Sequence, residues 1–384
     1  MLHIAYLTSE YPSSRVKHAA GIATSIKNLA VTLVKKGVRV SIFVYHQNED
    51  AVYMEEGVHI HLIKTRVYTF ATFYKYRKFL QKYLNNAILE QNIDLVEAPD
   101  WTGITAFMKL KAPLIIRFHG SDAYFCKLDG RKQKFKNFMF EKLALNRAKA
   151  YIAPTSYAGE ETAKIFGLDR RKIKTIHYGL QLEQFNNEKP LDYINQSLLY
   201  IGTIIRKKGV FELAEIFNTI IETTPNASLT LIGGDSKDIK TGEASTYKLI
   251  EQIFSKAALK QVNYLGKIPY AEVQNHIKKA HVCVFPSFAE TLGMVTIESM
   301  ALQKPVVNTN IGWAQELIVH EKNGFLVHPT DINTYAKHIL NLFTAKELGH
   351  TIGAEARKHV EGKFDITKLA SINIDYYKSI IANA

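Results

Sequence analysis

The sequence predicts two α/β units in series, each a doubly wound parallel sheet with helices on both faces. The chain has 384 residues, which exceeds one typical core, so two domains are expected. Short apolar runs alternate with amphipathic segments from one end to the other, a pattern typical of parallel sheets covered by helices. A polar interruption of this pattern near residue 180 separates the two units.

The first half of the chain begins with an apolar run at residues 4–7, which predicts a buried strand. Residues 20–36 follow with apolar side chains at helical spacing, and Gly37 ends that predicted helix. The sequence predicts further strands at residues 38–45, 95–98, 114–118 and 150–153.

The polar stretch at residues 178–196 lacks a sustained period, and we interpret it as an interdomain linker. It separates a first domain at 1–178 from a second at 197–365. In the second, strands are predicted at 198–201, 228–232, 282–285 and 305–307, a helix at 210–222, and a last helix follows at 366–384. Open α/β sheets bind ligands beyond the carboxyl ends of their strands, so both sheets are expected to face a cleft.

Composition excludes several classes of protein. Cys126 and Cys283 form no spacing motif, so neither a disulfide framework nor a thiolate metal site is expected, and a reducing cytosol fits. The amino terminus is not typical of a signal peptide, and no apolar stretch is long enough to predict a membrane-spanning helix.

The net charge of +13 is unevenly distributed. Residues 1–178 contain 28 Lys and Arg against 15 Asp and Glu, whereas residues 179–384 contain 21 of each. A one-sided charge predicts a negative partner for the first half: an anionic membrane surface, an acidic acceptor or nucleic acid.

The densest chemical signal is the segment FPSFAETLGMVTIESMA at residues 285–301. Glu290 and Glu298 flank the turn Leu292-Gly293, and the apolar run from Met294 predicts a helix that opens there. A helix amino terminus presents free N–H groups and a positive dipole end, which suit a diphosphate. A carboxylate further along the helix can accept hydrogen bonds from two ribose hydroxyls.

This segment resembles the signature of glycosyltransferase family 4, whose two glutamates have the same separation. The resemblance implies the GT-B fold, with two Rossmann-like domains facing a cleft and a last helix that packs back on the first domain. It implies that Glu290 contacts the donor sugar and Glu298 holds the nucleotide ribose, with Leu292, Gly293 and Met294 forming the donor-binding turn. It also implies transfer with retention of the anomeric configuration.

A basic turn, YIGTIIRKKGV at residues 200–210, follows a predicted strand. Lysine and arginine at such a turn can neutralise a diphosphate and its leaving-group charge. Gly202 and Lys208 match the family pattern. Thr203 stands where the family usually has an arginine, and we interpret Arg206 as the replacement for its guanidinium group.

In the first domain, RFHGSD at residues 117–122 ends a predicted strand. The resemblance implies that His119 reaches the transferred sugar, where it would hydrogen-bond a hydroxyl group. Asp122 is either functional or a helix cap. Of the two glycines common in the family's first loop, only Gly21 is present, because Ala20 replaces the other.

Basic and aromatic residues are interleaved in the first half. Residues 64–89 contain six Lys and Arg and no acidic residue, and residues 127–149 contain eight basic residues against two acidic ones. Such helices can lie on an anionic bilayer. Nucleic-acid binding has the same electrostatic basis, but none of its sequence signatures is present, and we expect no nucleic-acid partner.

The leading hypothesis is therefore a cytoplasmic retaining glycosyltransferase, peripheral to the membrane, that acts in cell-surface polysaccharide or glycolipid synthesis. It would move a sugar from a nucleotide-sugar donor to a glycan or lipid-linked acceptor, without a cofactor or an essential metal. The alternatives are other GT-B chemistry, such as an epimerase or phosphorylase, and a non-catalytic partner of a transferase.

Overall fold

The computed structural model describes residues 1–16 and 21–383, with Ile22 described by its main chain alone. The chain divides into two compact units. Unit 1 comprises Met1–Gln181 together with Asp365–Ala384, and unit 2 comprises Leu182–Phe364. Most of the predicted linker therefore belongs to unit 2, where a short 3-10 turn occupies Leu182–Gln184.

Unit 1 contains an eight-stranded sheet whose strands are β1 (His3–Thr8), β2 (Arg39–Gln47), β3 (Ala51–Glu55), β4 (Val58–Lys64), β5 (Leu95–Pro99), β6 (Leu114–Arg117), β7 (Ala150–Ala153) and β8 (Ile173–Thr175). Their order across the sheet is β3-β4-β2-β1-β5-β6-β7-β8. Its helices within residues 1–181 are α1 (Gly21–Lys35), α2 (Thr72–Gln91), α3 (Asp122–Leu128), α4 (Phe135–Leu145) and α5 (Ser156–Phe166).

One edge of the first sheet departs from the predicted parallel arrangement. Strand β3 pairs antiparallel with β4, and the other neighbouring strands of this sheet are parallel. Two antiparallel strands can be joined by a tight turn, whereas parallel strands need a crossover connection. Gly57, at φ +78°, lies in the tight turn between β3 and β4.

Alternation along β1 builds a core on each face of the sheet. Ile4 and Tyr6 pack into one apolar cluster with side chains of α1. Ala5 and Leu7 pack into a second cluster with side chains of α2. Burial on both faces explains why this strand is a continuous apolar run rather than an alternating one.

Unit 2 contains a six-stranded sheet formed by β9 (Ser197–Ile201), β10 (Ser228–Ile232), β11 (Val262–Gly266), β12 (Val282–Phe285), β13 (Val306–Thr309) and β14 (Phe325–Val327). The order is β11-β10-β9-β12-β13-β14, with every pair parallel. The helices are α6 (Val210–Thr223), α7 (Thr246–Glu251), α8 (Lys256–Leu259), α9 (Tyr270–Lys279), α10 (Met294–Ala301), α11 (Ile332–Thr344) and α12 (Lys346–Lys363).

The last helix, α13 (Ile366–Ala382), belongs to unit 1. A buried polar network joins it to the sheet: Arg117 of β6 donates to Glu97 of β5 at 2.6 and 3.0 Å, and to Asn373 of α13 at 2.6 Å. Tyr377 of α13 donates to Glu97 at 2.7 Å. Removing one partner of a buried ion pair typically costs about 3–5 kcal/mol, so this network fixes α13 against the strand that leads to His119.

Among the helices of the described residues, none is long and apolar enough to span a membrane.

Candidate active site

In unit 2, the basic turn follows β9 as a 3-10 turn at Arg206–Lys208 and packs on the segment after β12. The main-chain N–H of Phe288 donates to the Lys207 carbonyl oxygen at 2.8 Å. Gly209 has φ +70°, and a Cβ there would lie 1.8 Å from the Pro286 carbonyl oxygen. Only glycine permits this approach, so the backbone itself brings the basic turn against the signature segment.

Lys208 and Glu290 meet as an ion pair. Each side chain is about 20% exposed, so the pair lies at the surface of the unit but is partly shielded from water. Both line one pocket, together with Gly293, Thr296, Asn308 and Trp313. The structure thus brings together two predicted residues that lie 82 positions apart in the chain.

Helix α10 begins directly beyond this pair. Gly293, at φ +93°, lies just before its first residue, Met294, and a Cβ there would meet no atom closer than 3.7 Å. The requirement for glycine is therefore conformational rather than steric. Leu292 is 1% exposed and anchors the turn in the core. The first N–H groups of a helix have no partner within the helix, so this opening can bind an anion.

Glu298 lies inside α10 and is 6% exposed. Its Oε1 accepts a hydrogen bond from the Tyr270 hydroxyl at 2.6 Å. Burial raises the pKa of the Glu298 carboxyl to about 7. Tyr270 was not predicted from the sequence, because nothing in the chain order brings the start of α9 next to α10.

Arg206, which is predicted to contact the donor diphosphate, has side-chain partners within unit 2. Its guanidinium group donates to both carboxylate oxygens of buried Asp238, at 3.0 and 2.9 Å, and lies 3.8 Å from the centroid of the Phe211 ring. The hydrogen bonds from Arg206 hold the pKa of Asp238 well below its usual range. This geometry favours a structural role, and the assignment of Arg206 to the diphosphate stays a prediction.

Gly202 and Thr203 lie at the carboxyl end of β9. The Gly202 N–H donates to the Ile232 carbonyl oxygen at 2.8 Å, and the Thr203 carbonyl oxygen accepts from the Tyr200 hydroxyl at 3.2 Å. A Cβ on Gly233 would lie 1.9 Å from the Gly202 carbonyl oxygen. Gly233 is thus a second glycine on which this edge depends, and the sequence analysis did not identify it.

In unit 1, His119 follows β6 and is 9% exposed. Its main-chain N–H donates to Oδ1 of Asp100 at 2.9 Å. Its Nδ1 lies 2.7 Å from the hydroxyl oxygen of Tyr178, which donates to the Phe118 carbonyl oxygen at 2.9 Å. Burial, and secondarily the charge of Arg117, lower the pKa of His119 to about 3, so the imidazole is neutral at pH 7.

Asp122, Gly21 and Asp100 of unit 1 also bear on the predicted site. Ser121, not Asp122, caps α3, because the Ser121 hydroxyl accepts from the Tyr124 N–H at 3.1 Å; the interpretation of Asp122 as the cap is wrong. Gly21 is the first residue of α1, and Ala20 lies outside the described residues.

Asp100 accepts the hydrogen bond from the His119 main-chain N–H, and the sequence analysis did not predict it. Burial raises the pKa of the Asp100 carboxyl to about 7.

Comparison with protein families identifies the chain. The family model "Glycosyltransferase Family 4" matches residues 19–184, and the model "Glycosyl transferases group 1" matches residues 183–359. The two matches are consecutive and together span most of the sequence. The chain belongs to glycosyltransferase family 4. This family 4 glycosyltransferase is accordingly an enzyme of the transferase class.

Curated relatives agree with this identification. An uncharacterized glycosyltransferase of Methanocaldococcus jannaschii is 28% identical over 93% of this chain and 94% of its own. The capsular polysaccharide biosynthesis glycosyltransferase CapM of Staphylococcus aureus is 29% identical over 60% of this chain and 61% of its own.

Solved structures show the fold of this family 4 glycosyltransferase. Sucrose-phosphate synthase from Thermosynechococcus elongatus matches with a TM-score of 0.80 at 20% identity, covering 100% of both chains. Anabaena HepE in complex with UDP matches with a TM-score of 0.74 at 17% identity, covering 99% of this chain and 100% of that one. The predicted GT-B fold is confirmed.

Proposed function

We propose that the enzyme transfers a sugar from a nucleoside-diphosphate sugar to a glycan or lipid-linked acceptor, with retention of the anomeric configuration. The observation that carries the proposal is that the side chains predicted to bind the donor lie together at the carboxyl edge of the unit 2 sheet. Lys208 and Glu290 are paired beside the opening of α10, and Glu298 is buried within that helix.

The nucleotide is the part of the donor that this edge suits most directly. The opening of α10 offers main-chain N–H groups to a diphosphate. Glu298 offers carboxylate oxygens to the ribose hydroxyls once the Tyr270 hydroxyl is displaced or shares them. The solved structures of HepE contain UDP and, in another crystal, UDP-glucose, which supports a nucleotide sugar as donor and makes UDP-sugars the first to test.

Lys208 would take up the charge of the leaving group. Its ammonium group has three donors, so it can keep the contact to Glu290 and add a phosphate oxygen. Glu290 would at the same time accept a hydrogen bond from a hydroxyl of the donor sugar. A cation already held in place stabilises negative charge as it develops, without reorganisation at the moment of reaction.

The transfer itself breaks the bond between C1 of the sugar and the diphosphate oxygen, and the electron pair leaves with the nucleoside diphosphate. The acceptor hydroxyl oxygen bonds to C1 from the face that the diphosphate leaves. Its proton passes to an oxygen of the departing phosphate. This route requires no carboxylate nucleophile, and neither Glu290, which is paired with Lys208, nor buried Glu298 is needed as one.

We propose that the step needs no divalent metal, because Lys208 and the α10 opening supply the positive charge that a metal would otherwise bring. Groups of three or more His, Cys, Asp or Glu side chains placed to hold a metal are not found within the described residues. Turnover unchanged in a chelating buffer would support the proposal, and full loss of turnover restored by magnesium or manganese would contradict it.

Synthesis of a cell-surface polysaccharide or glycolipid is the role we propose for this transfer. The name of CapM assigns that relative to capsular polysaccharide biosynthesis. A membrane-bound acceptor would also explain the charge of unit 1, which contains 30 Lys and Arg against 17 Asp and Glu, whereas unit 2 contains 19 of each.

An α2–α4 surface on unit 1 fits an anionic bilayer. We define it by seven of the exposed aromatic and basic side chains at α2, at α4 and at their flanks: Phe70, Phe73, Tyr74, Lys75, Lys134, Phe135 and Lys136. The ammonium group of Lys136 lies 4.6 Å from the centroid of the Phe73 ring. Apolar rings beside lysines allow a surface to enter the headgroup region while its charges meet anionic lipids.

A donor panel tests the proposed function. The purified chain is heated with UDP-, GDP- and ADP-sugars, because a ligand that binds only the native state raises the melting temperature. We expect one nucleotide to stabilise the protein, and the Glu298→Ala variant to lose most of this shift. No stabilisation by any donor at millimolar concentration would contradict a donor site in unit 2.

A further inference from the structure

The imidazole of His119 lies in a hydrogen-bond arrangement that distinguishes its two ring nitrogens. Nδ1 lies 2.7 Å from the Tyr178 hydroxyl oxygen, and the two rings are nearly parallel, at 14°. The other neighbour of that hydroxyl is the Phe118 carbonyl oxygen, at 2.9 Å. One tyrosine hydroxyl therefore bridges the side chain of His119 and the main chain of the residue before it.

The bridge can be satisfied in only one way. A carbonyl oxygen accepts and never donates, so the bond to Phe118 requires the single hydroxyl proton of Tyr178. The hydroxyl oxygen then presents a lone pair to His119, and Nδ1 must carry a hydrogen to donate to it. If the Tyr178 hydroxyl donated to Nδ1 instead, the Phe118 carbonyl oxygen would lose this hydrogen bond. Phe118 is 1% exposed, and buried polar groups are rarely left without a partner.

The position of Tyr178 is itself fixed by its neighbours. A Cβ on Gly179 would lie 2.7 Å from Cα of Ile366, the first residue of α13. The Ile366 N–H donates to the Leu180 carbonyl oxygen at 3.1 Å. The chain directly after Tyr178 is thus packed against the start of α13, which fixes the main chain from which the Tyr178 side chain extends.

We infer that Tyr178 is a positioning residue that holds His119 as its Nδ1–H tautomer, which leaves Nε2 as a hydrogen-bond acceptor for a hydroxyl group of a sugar substrate. The neutral ring then cannot donate from Nε2, and it does not act as a general acid. Its role toward a sugar rests on the proposed function, whereas the tautomer itself does not.

Nuclear magnetic resonance of protein labelled with ¹⁵N at histidine reads the tautomer directly, because protonated and unprotonated ring nitrogens have well-separated shifts. The His119 signals are those absent from a His119→Asn variant. In the wild type we expect Nδ1 to be protonated and Nε2 to be unprotonated. The Tyr178→Phe variant should show a mixture of the two tautomers and a fall in kcat/KM of about tenfold, the factor that one ordinary hydrogen bond is worth.

Tyr376→Phe serves as the matched control. Tyr376 also donates to main-chain carbonyl oxygens of unit 1, those of Tyr151 and Lys172 at 3.3 and 3.4 Å, and its loss should leave the His119 signals unchanged. A protonated Nε2 in the wild type would overturn the inference without any variant. An unaltered His119 spectrum in folded Tyr178→Phe would also overturn it. If the spectra were as expected but the enzyme turned over no donor, the proposed function would be contradicted and the tautomer assignment would stand.

Discussion

At the scale of single residues, the ionisation of Glu298 bears directly on donor binding. Burial raises the pKa of its carboxyl to about 7, so protonated and ionised Glu298 are both accessible in the nucleotide-free protein near neutral pH. Ribose hydroxyls donate hydrogen bonds and therefore favour the carboxylate form. Donor binding should therefore release a proton. Below the pKa of Glu298, the affinity for the donor should rise by up to about tenfold per pH unit, and above about pH 7 it should level off.

Calorimetric titration of a nucleotide sugar between pH 5.5 and 8.5 checks this expectation, since the diphosphate diester of such a donor does not titrate in that range. The Glu298→Gln variant should bind more weakly at pH 8, by roughly 1.5–3 kcal/mol for a lost charge-assisted hydrogen bond. Its affinity should no longer depend on pH. Equal pH dependence in wild type and variant would contradict the assignment of Glu298 to the ribose.

At the scale of elements, the basic turn and the signature segment act together because Gly209 lets them touch. Lys208→Ala removes the cation that the turn presents beside Glu290. We expect turnover to fall about a hundredfold, the usual effect of removing one group that stabilises developing charge. The melting temperature should change little, because a partly exposed ion pair contributes about 0–1 kcal/mol to stability.

Steady-state kinetics of Lys208→Ala are compared with those of Lys240→Ala, which removes an exposed lysine of the same unit. The comparison separates the loss of the Lys208 contact from a general loss of positive charge. The control should keep wild-type turnover. Turnover of Lys208→Ala within about twofold of the wild type would refute the proposed role of Lys208.

Elements that are continuous apolar runs were the most predictable from the sequence. Strands β7 and β12, which are buried along their whole length, begin and end at the predicted residues, because burial on both faces leaves a run bounded by polar residues. The hairpin edge formed by β3 and β4 was not predicted, since His59 and His61 interrupt the apolar pattern of β4. Local pattern determines such runs, whereas an edge strand also depends on which neighbour it pairs with.

The candidate site was predictable where chemistry is local in the chain and not where it depends on distant contacts. Glu290, Gly293 and Glu298 follow one another within a single turn and helix. The partners of Arg206 and Glu298, by contrast, are Asp238 and Tyr270, which lie 32 and 28 residues away. Contacts at such separations are set by packing of the units and have no signal in a single sequence.

At the scale of the whole molecule, the excess positive charge of unit 1 predicts binding to anionic membranes through the α2–α4 surface. Two basic residues of α2 do not contribute: Arg77 is buried and donates to the carbonyl oxygens of Thr102 and Gly103, and Lys78 donates to that of Phe107. These two of the six basic residues at 64–89 are therefore bound within unit 1 rather than presented to a membrane.

Reversing the exposed lysines Lys75, Lys134 and Lys136 to Glu should abolish co-sedimentation with anionic vesicles. Each lysine contributes about 1 kcal/mol near such a surface. The matched control reverses three exposed lysines of unit 2, Lys237, Lys240 and Lys256, and should retain binding. Binding of the wild type should weaken at 1 M salt, where the Debye length falls to about 3 Å. Equal recovery of the wild type with anionic and neutral vesicles at low salt would rule out a membrane role for this surface.

The central claim, that this chain is a retaining transferase with its donor site in unit 2, is tested most directly by proton nuclear magnetic resonance of a running reaction. The donor that stabilises the protein is incubated with enzyme and a candidate acceptor glycan, and the anomeric signals are followed over time. We predict that the donor signal declines, that a product signal with the donor's anomeric configuration replaces it, and that Glu290→Gln slows this exchange by about a hundredfold or more. A product of inverted configuration, or equal rates in wild type and Glu290→Gln, would contradict the account.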